Sequence, residues 1–241
     1  MNKLSQNGKV EGGISSTLSS SPPSVEELAQ VRQVLYRFFA SLFLYPAPER
    51  LTKLKEAAVA LQNEWETWSL VPYGRSLERL LGEVAALPEG QNIPIEEEYL
   101  RLFSVKPVAI PYESVYIDPE GLARGLTAAQ IDGIYARAGL KLAPDIIEPP
   151  DHVAVELEFM AFLCTREVEA LEAGRPEEAA LSRDSQRVFL AKHLRRWFPE
   201  FARQVKKAAP DHLYAAVTEA TFAFLHYDLV LFRLHGNERS P

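Results

Sequence analysis

The stretch SVEELAQVRQVLYRFFASLFLY, residues 24–45, sets the class of the fold. Leu28, Val31, Leu35, Phe38, Phe39, Leu42 and the Leu44–Tyr45 pair recur at steps of three and four, which stacks them on one helical face. Ser24 with Glu27 three residues on forms a capping box. Pro46 and Pro48 stop the helix, because proline lacks the N–H that would continue it. The same period returns at roughly 48–68, 75–87, 94–103, 127–139, 151–173, 176–197, 199–208 and 211–235. Between 104 and 125, three prolines and two glycines interrupt the pattern and predict an ordered loop. The one β-prone run, Val108–Ile117, is broken by Pro111. The sequence therefore predicts an all-α fold, a single globular domain of about nine or ten helices over residues 25–236. Residues 1–24, rich in Ser, Gly, Asn and Pro, predict a disordered tail. A Pro-rich hinge at 144–150 marks where lobes 25–143 and 151–236 would join.

Composition narrows the function classes. The 241 residues are 47% hydrophobic and 24% charged, enough to bury a substantial core. The net charge of −7 argues against a nucleic-acid partner and favours a basic one. The single cysteine, Cys164, excludes an intrachain disulfide. The most apolar segment, Leu213–Leu234, is interrupted by Glu219, His226, Asp228 and Arg233, so no membrane span is expected. Residues 1–24 lack the apolar core of a secretory signal, and a cytoplasmic location is the expectation.

The stretch EPPDHVAVELEFM, residues 148–160, holds the candidate chemistry. On a helix starting near Asp151, Val153, Leu157, Met160 and Cys164 form a core stripe, with His152, Glu156, Phe159 and Leu163 beside it. His152 and Glu156 stand four residues apart, so their side chains can meet. A carboxylate on that apolar arc needs a partner, either His152 or an arginine from another helix. Asp151 has two compatible readings: a cap that opens its own helix, or a grip on a ligand's cation. A metal site lacks ligands, since His193, His212, His226 and His235 are scattered singly. Nucleophilic catalysis lacks a Gly-x-Ser-x-Gly elbow, and Cys164 lies on the core stripe. A small nucleotide hydrolase using Asp151, His152 and Glu156 lacks any phosphate loop. The residues favour a binding module over an enzyme, with no cofactor.

Three segments, taken in order, resemble the TorD/DmsD/NarJ-type family of molybdoenzyme maturation chaperones. They are Tyr99-Leu100-Arg101-Leu102-Phe103 with Pro111-Tyr112-Glu113-Ser114-Val115-Tyr116, then Glu148-Pro149-Pro150-Asp151-His152 running into its helix, then His193-Leu194-Arg195-Arg196-Trp197. The resemblance implies an all-helical chaperone that binds the twin-arginine leader and apo catalytic subunit of a molybdopterin oxidoreductase, as a monomer or homodimer. It implies peptide contacts at Tyr99, Leu102, Phe103, Pro111, Tyr112, Tyr116, Pro149, Asp151 and His152, supported by Glu148, Glu156 and Tyr45. Plain core packing is the competing reading for the tyrosines, and Glu96-Glu97-Glu98 reads as a solvated helix start and secondarily as an arginine dock. Relatives of the nitrate-reductase type imply an alternative client, a molybdoenzyme that is not exported.

Overall fold

The structure, a computed structural model, describes residues 2–3, 24–64, 71–90, 92–121, 125–143 and 147–236. Among them are ten helices: α1 (Val25–Leu42), α2 (Pro48–Asn63), α3 (Gly74–Ala85), α4 (Ile93–Tyr99), α5 (Glu113–Ile117), α6 (Leu126–Arg137), α7 (Val153–Glu172), α8 (Pro176–Lys192), α9 (Leu194–Ala208) and α10 (Leu213–Gly236). The expected all-helical class is what the chain adopts. Most of the N-terminal tail, the end of the second helical stretch and residues 144–146 of the joint lie outside the described residues. Asn2–Lys3 (β1) pair in parallel with Leu140–Lys141 (β2).

Sequence signals set the helix ends. Ser24 Oγ accepts from Glu27 N–H at 3.1 Å, and Ser24 N–H donates to the Glu27 carboxylate at 2.6 Å, which completes the capping box. At the far end of α7, Gly174 takes a φ of 66°. Its N–H donates to Leu171 O at 3.0 Å and Arg175 N–H to Ala170 O at 2.8 Å. That pair of bonds is a Schellman stop, which needs the left-handed conformation glycine tolerates.

Three boundaries differ from the sequence reading. Helix α1 ends at Leu42, three residues before the expected limit, because the residue preceding Pro46 is pushed toward extended backbone. The loop over 104–125 contains the short helix α5. The break expected between the 176–197 and 199–208 patterns falls at His193 instead, and Pro199 sits inside α9, where it leaves Arg195 O without its i+4 helix donor.

Helix α7 is the central element, packed along α1 on one side and α8 on another, while α10 packs against α9 and α3. One core runs through all of them, with Leu35 and Phe39 of α1, Leu77 of α3, Met160 of α7, Phe201 of α9 and Phe224 of α10 in a single cluster. The core is thus continuous across residues on both sides of 144–150. Each such side chain stabilises the fold by about 1.5–3 kcal/mol on burial.

A buried ionic cluster crosses this core. Arg32 of α1 donates to Asp228 of α10 through Nε at 2.5 Å and Nη2 at 3.0 Å, and Tyr36 O–H donates to the same carboxylate at 2.6 Å. Glu167 of α7 faces Arg32 at 3.5 Å, and accepts from Arg183 Nε at 2.6 Å and Gln186 at 2.9 Å. By length and composition residues 213–232 of α10 would cross a bilayer, but 56% of that stretch is buried inside the fold.

Candidate functional site

The three motif segments meet at one junction. Residues 111–113 run antiparallel to 151–153: Val153 N–H donates to Pro111 O at 2.9 Å, Glu113 N–H donates to Asp151 O at 3.0 Å, and Tyr112 pairs with His152. His152 N–H closes a turn onto Pro149 O at 3.0 Å, and Tyr135 O–H of α6 donates to Pro150 O at 2.9 Å. The prolines therefore present carbonyls inward and fix the turn that carries Asp151 and His152 into α7.

Two capping roles differ from the sequence reading. Asp151 does not cap its own helix. Its Oδ2 accepts from Ser114 N–H at 2.9 Å, so it caps α5 across the junction. The N-cap of α7 is His152, whose Nδ1 accepts from Ala154 N–H at 3.1 Å. A ring nitrogen that accepts carries no proton, so the imidazole is the neutral tautomer with its hydrogen on Nε2. Burial pushes the His152 pKa down to about 3, in keeping with that tautomer. The contact of Nε2 with Glu148 at 3.8 Å is therefore a long polar contact and not an ion pair.

Glu156 also has different partners from those expected. It meets neither His152 nor an arginine: its Oε2 accepts from Trp197 Nε1 of α9 at 3.2 Å, and its Oε1 is buried without a hydrogen-bond partner among the described residues. Glu113 lies 3.0 Å from His193 Nδ1, at the α8–α9 turn. Glu113, Asp151 and Glu156 are 1%, 0% and 0% exposed. Among the described residues of this junction, Ser114 Oγ and Asp151 Oδ1, like Glu156 Oε1, have no hydrogen-bond partner although all are buried. Burial first, and the Glu113 carboxyl next, push Glu156 well above the usual carboxylate range, against the opposing pull of the Trp197 N–H. In the sequence, Glu113 and Trp197 stand out only as parts of motifs, and His193 also as a lone histidine. Their signal was an acid, an imidazole and an indole embedded in otherwise apolar segments.

Around this buried layer lies a rim. Tyr45 is 42% exposed, and its hydroxyl donates to Glu96 Oε2 at 2.8 Å. The ring stands edge-on to Tyr99 at 5.7 Å. Tyr112 is half-buried and lies 5.5 Å from the His152 ring, with its hydroxyl 3.4 Å from Glu148. Burial first, and the Glu148 carboxylate next, push the Tyr99 hydroxyl pKa up. Tyr116, also half-buried, stacks on Trp197 at 5.5 Å and donates to Gln204 at 3.2 Å.

The remaining sequence candidates lie behind the rim. Leu102 and Phe103 sit in a π turn over Leu100–Ser104 and are buried, as are Tyr99, Pro111 and Pro149. Phe103 packs against Tyr99, Phe201 and Tyr214. Structurally the candidates fall into two sets: rim groups at Tyr45, Tyr112, Tyr116 and Glu148, and a buried set that supports them. Among the described residues no three His, Cys, Asp or Glu side chains are placed to hold one metal ion.

Comparison with known proteins fits this arrangement. The chain is 28% identical over 208 residues to the chaperone protein TorD of Vibrio cholerae serotype O1, covering 83% of this chain and 91% of that one. It is 28% identical over 209 residues to TorD of Vibrio parahaemolyticus, covering 85% and 95%. The fold matches the crystal structure of a candidate redox enzyme maturation protein from Archaeoglobus fulgidus, with a TM-score of 0.52 and 22% identity over 88% of this chain and 99% of that one. The family profile described as the nitrate reductase delta subunit matches residues 72–203, more than half of the chain and all three motif segments. The chain belongs to that family, and with it to the TorD/DmsD/NarJ-type group whose motifs it carries.

Proposed function

We propose that this protein is a cytoplasmic maturation chaperone, which binds the twin-arginine leader of a molybdopterin oxidoreductase precursor and holds it while the cofactor is inserted. It acts by binding and not by turnover. The observation that carries the reading is the junction itself: the three motif segments converge on one site, and its rim offers tyrosines and carboxylates together. A twin-arginine leader presents two guanidinium groups followed by an apolar stretch. Glu148 and Glu96 supply charge-assisted acceptors for the first, and Tyr45, Tyr112 and Tyr116 supply aromatic faces for guanidinium stacking and for the apolar stretch. The net charge of −7 steers a basic peptide toward the site. Asp151 and His152 act from beneath, by fixing the segment that carries Tyr112.

A leader peptide titrated against the protein tests this. Tyr45→Ala with Glu148→Gln should weaken binding by about tenfold or more, roughly 1.4 kcal/mol, while the thermal midpoint hardly moves. Undiminished affinity in the double variant would refute the rim as the site. If no twin-arginine leader bound at all, the second reading would gain: a client that is not exported, as the nitrate reductase delta subunit match suggests.

A further inference from the structure

The charge of this chain is unevenly spread. Residues 183–207, which run from the middle of α8 through nearly all of α9, carry eight lysines and arginines against two acids, a net +6. The whole chain is −7, so the remainder carries −13. Three sides of α9 are occupied by the fold. Leu194, Phe198, Phe201 and Val205 are buried in the core. Trp197 and Gln204 face α5, where Tyr116 stacks on the first and donates to the second. Arg195 and Lys206 face α10: Arg195 lies over the Phe222 ring at 5.2 Å, and Lys206 pairs with Glu219 at 3.5 Å. The fourth side is the outer one. There Arg196, Arg203 and Lys207 stand exposed at steps of seven and four, with Glu200 among them.

Folding accounts for part of this stripe and not for the rest. Lys206 and Lys207 end α9, where the helix carbonyls favour a cation, and Arg203 pairs with Glu200 at 2.6 Å. Arg196 stands in the first turn, where the helix dipole disfavours a positive side chain, and that turn contains no acid to offset it. Among the described residues neither Arg196 nor Lys207 has an acid within ion-pair distance. Such charges add nothing to the fold and are open to a partner.

We propose that the outer face of α9 is a docking surface for an acidic helical segment of a partner protein. From Arg196 to Lys207 the stripe is roughly 16 Å long, about three turns of a second helix laid alongside. A nucleic acid or a lipid surface is a poorer match. Either one extends past the stripe onto the remainder of the molecule, where the net charge of −13 repels it. A bilayer also takes up apolar side chains, and those of α9 are buried in the core. A twin-arginine leader has the same sign as the stripe and is repelled by it. The Tyr116–Gln204 contact thus stands between two surfaces of opposite preference, a rim for a basic segment and a helix face for an acidic one. The proposal needs only the charge of α9 and holds whatever occupies the rim.

Fluorescence anisotropy with the full-length protein tests this. The probe is a labelled helical peptide of glutamate and alanine, about eighteen residues long, with glutamates at alternating steps of four and three. It should bind at about 20 mM salt with a Kd on the order of 0.1 mM or tighter, and weaken at least about fivefold at about 150 mM as exposed charges are screened. Arg196→Glu with Lys207→Glu should cut the affinity at least about tenfold while the thermal midpoint hardly moves, because both side chains are exposed. The same charge change at the exposed Lys53 of α2 and Arg75 of α3 should alter it less than about threefold, which separates the place from the net charge. No binding of the acidic peptide at low salt, or equal losses in the two double variants, would overturn the proposal. So would phosphatidylglycerol vesicles or a single-stranded RNA oligonucleotide binding more tightly than the peptide and losing that binding in the α9 variant. No leader is present in these measurements. Failure to bind any leader would count against the proposed function and leave this surface standing.

Discussion

Helix α7 carries a buried glutamate toward each end, and the two live in opposite electrostatic surroundings. Glu167 meets Arg32 and Arg183, and the neighbouring Asp228 shares Arg32, so two acids face two guanidinium groups. Glu156 meets an indole. The first cluster is balanced by charge; at the second, burial pushes the Glu156 carboxyl well above the usual carboxylate range. The balanced cluster ties α1, α7, α8 and α10 to one another, whereas Glu156 is held by a single N–H from α9.

Breaking the comparison is most direct at the ionic end. Arg32→Met leaves Asp228 and Glu167 buried with too little positive charge, and should cost about 3–5 kcal/mol of stability in urea unfolding. Glu156→Gln, which keeps the shape and the acceptor for Trp197, should stay within about 1 kcal/mol of the parent at neutral pH. Equal losses in the two variants would show that both clusters hold charge in the same way.

A smaller effect lies at the cap between the rim and the acidic junction. His152 is buried neutral, with its pKa at about 3 in place of 6.5. Between those values the unfolded chain binds the extra proton, so stability falls as pH drops from 6.5 toward 3 and rises as pH climbs back. His152→Asn retains a capping oxygen without a titrating ring. It should cost about 1 kcal/mol at neutral pH and flatten the acid limb of a plot of urea midpoint against pH. An unchanged acid limb would mean that His152 is already charged in the fold.

The rim should give the smallest change in stability. Tyr45→Phe removes an exposed hydroxyl contact to Glu96 and should shift unfolding by no more than about 0.5 kcal/mol. A larger loss would place Tyr45 among the supports of the fold and not on its binding face.

The helices were legible because an amphipathic helix repeats its apolar residues within a single turn, and nine of them needed no distant information; the tenth, α5, is a five-residue helix in the stretch read as a loop. The capping box at Ser24 was legible for the same reason. Asp151 was not, since its partner Ser114 lies 37 residues away. An Asp before a helix looks the same in sequence whether it caps that helix or a neighbour. Glu156 illustrates the limit more sharply. Its place on an apolar arc correctly predicted burial and the need for a partner, but the partner came from α9, through a pairing no local period encodes. The candidate tyrosines divided into rim and core for the same reason: periodicity places a side chain on a face, and tertiary packing decides what covers that face.

The Arg32–Asp228 contact has a consequence for how the chain is made. The two residues are 196 positions apart. At a synthesis rate of about 5–20 residues per second, Arg32 leaves the ribosome roughly 10–40 seconds before its counter-ion exists. During that interval α1 has much of its apolar partner α7 but no acid at Asp228 to neutralise a guanidinium that the finished core encloses. A nascent chain can collapse early but cannot close. Helix α10 is the one that seals α1, and a chain stopped short of α10 would carry an unmatched charge into its own core.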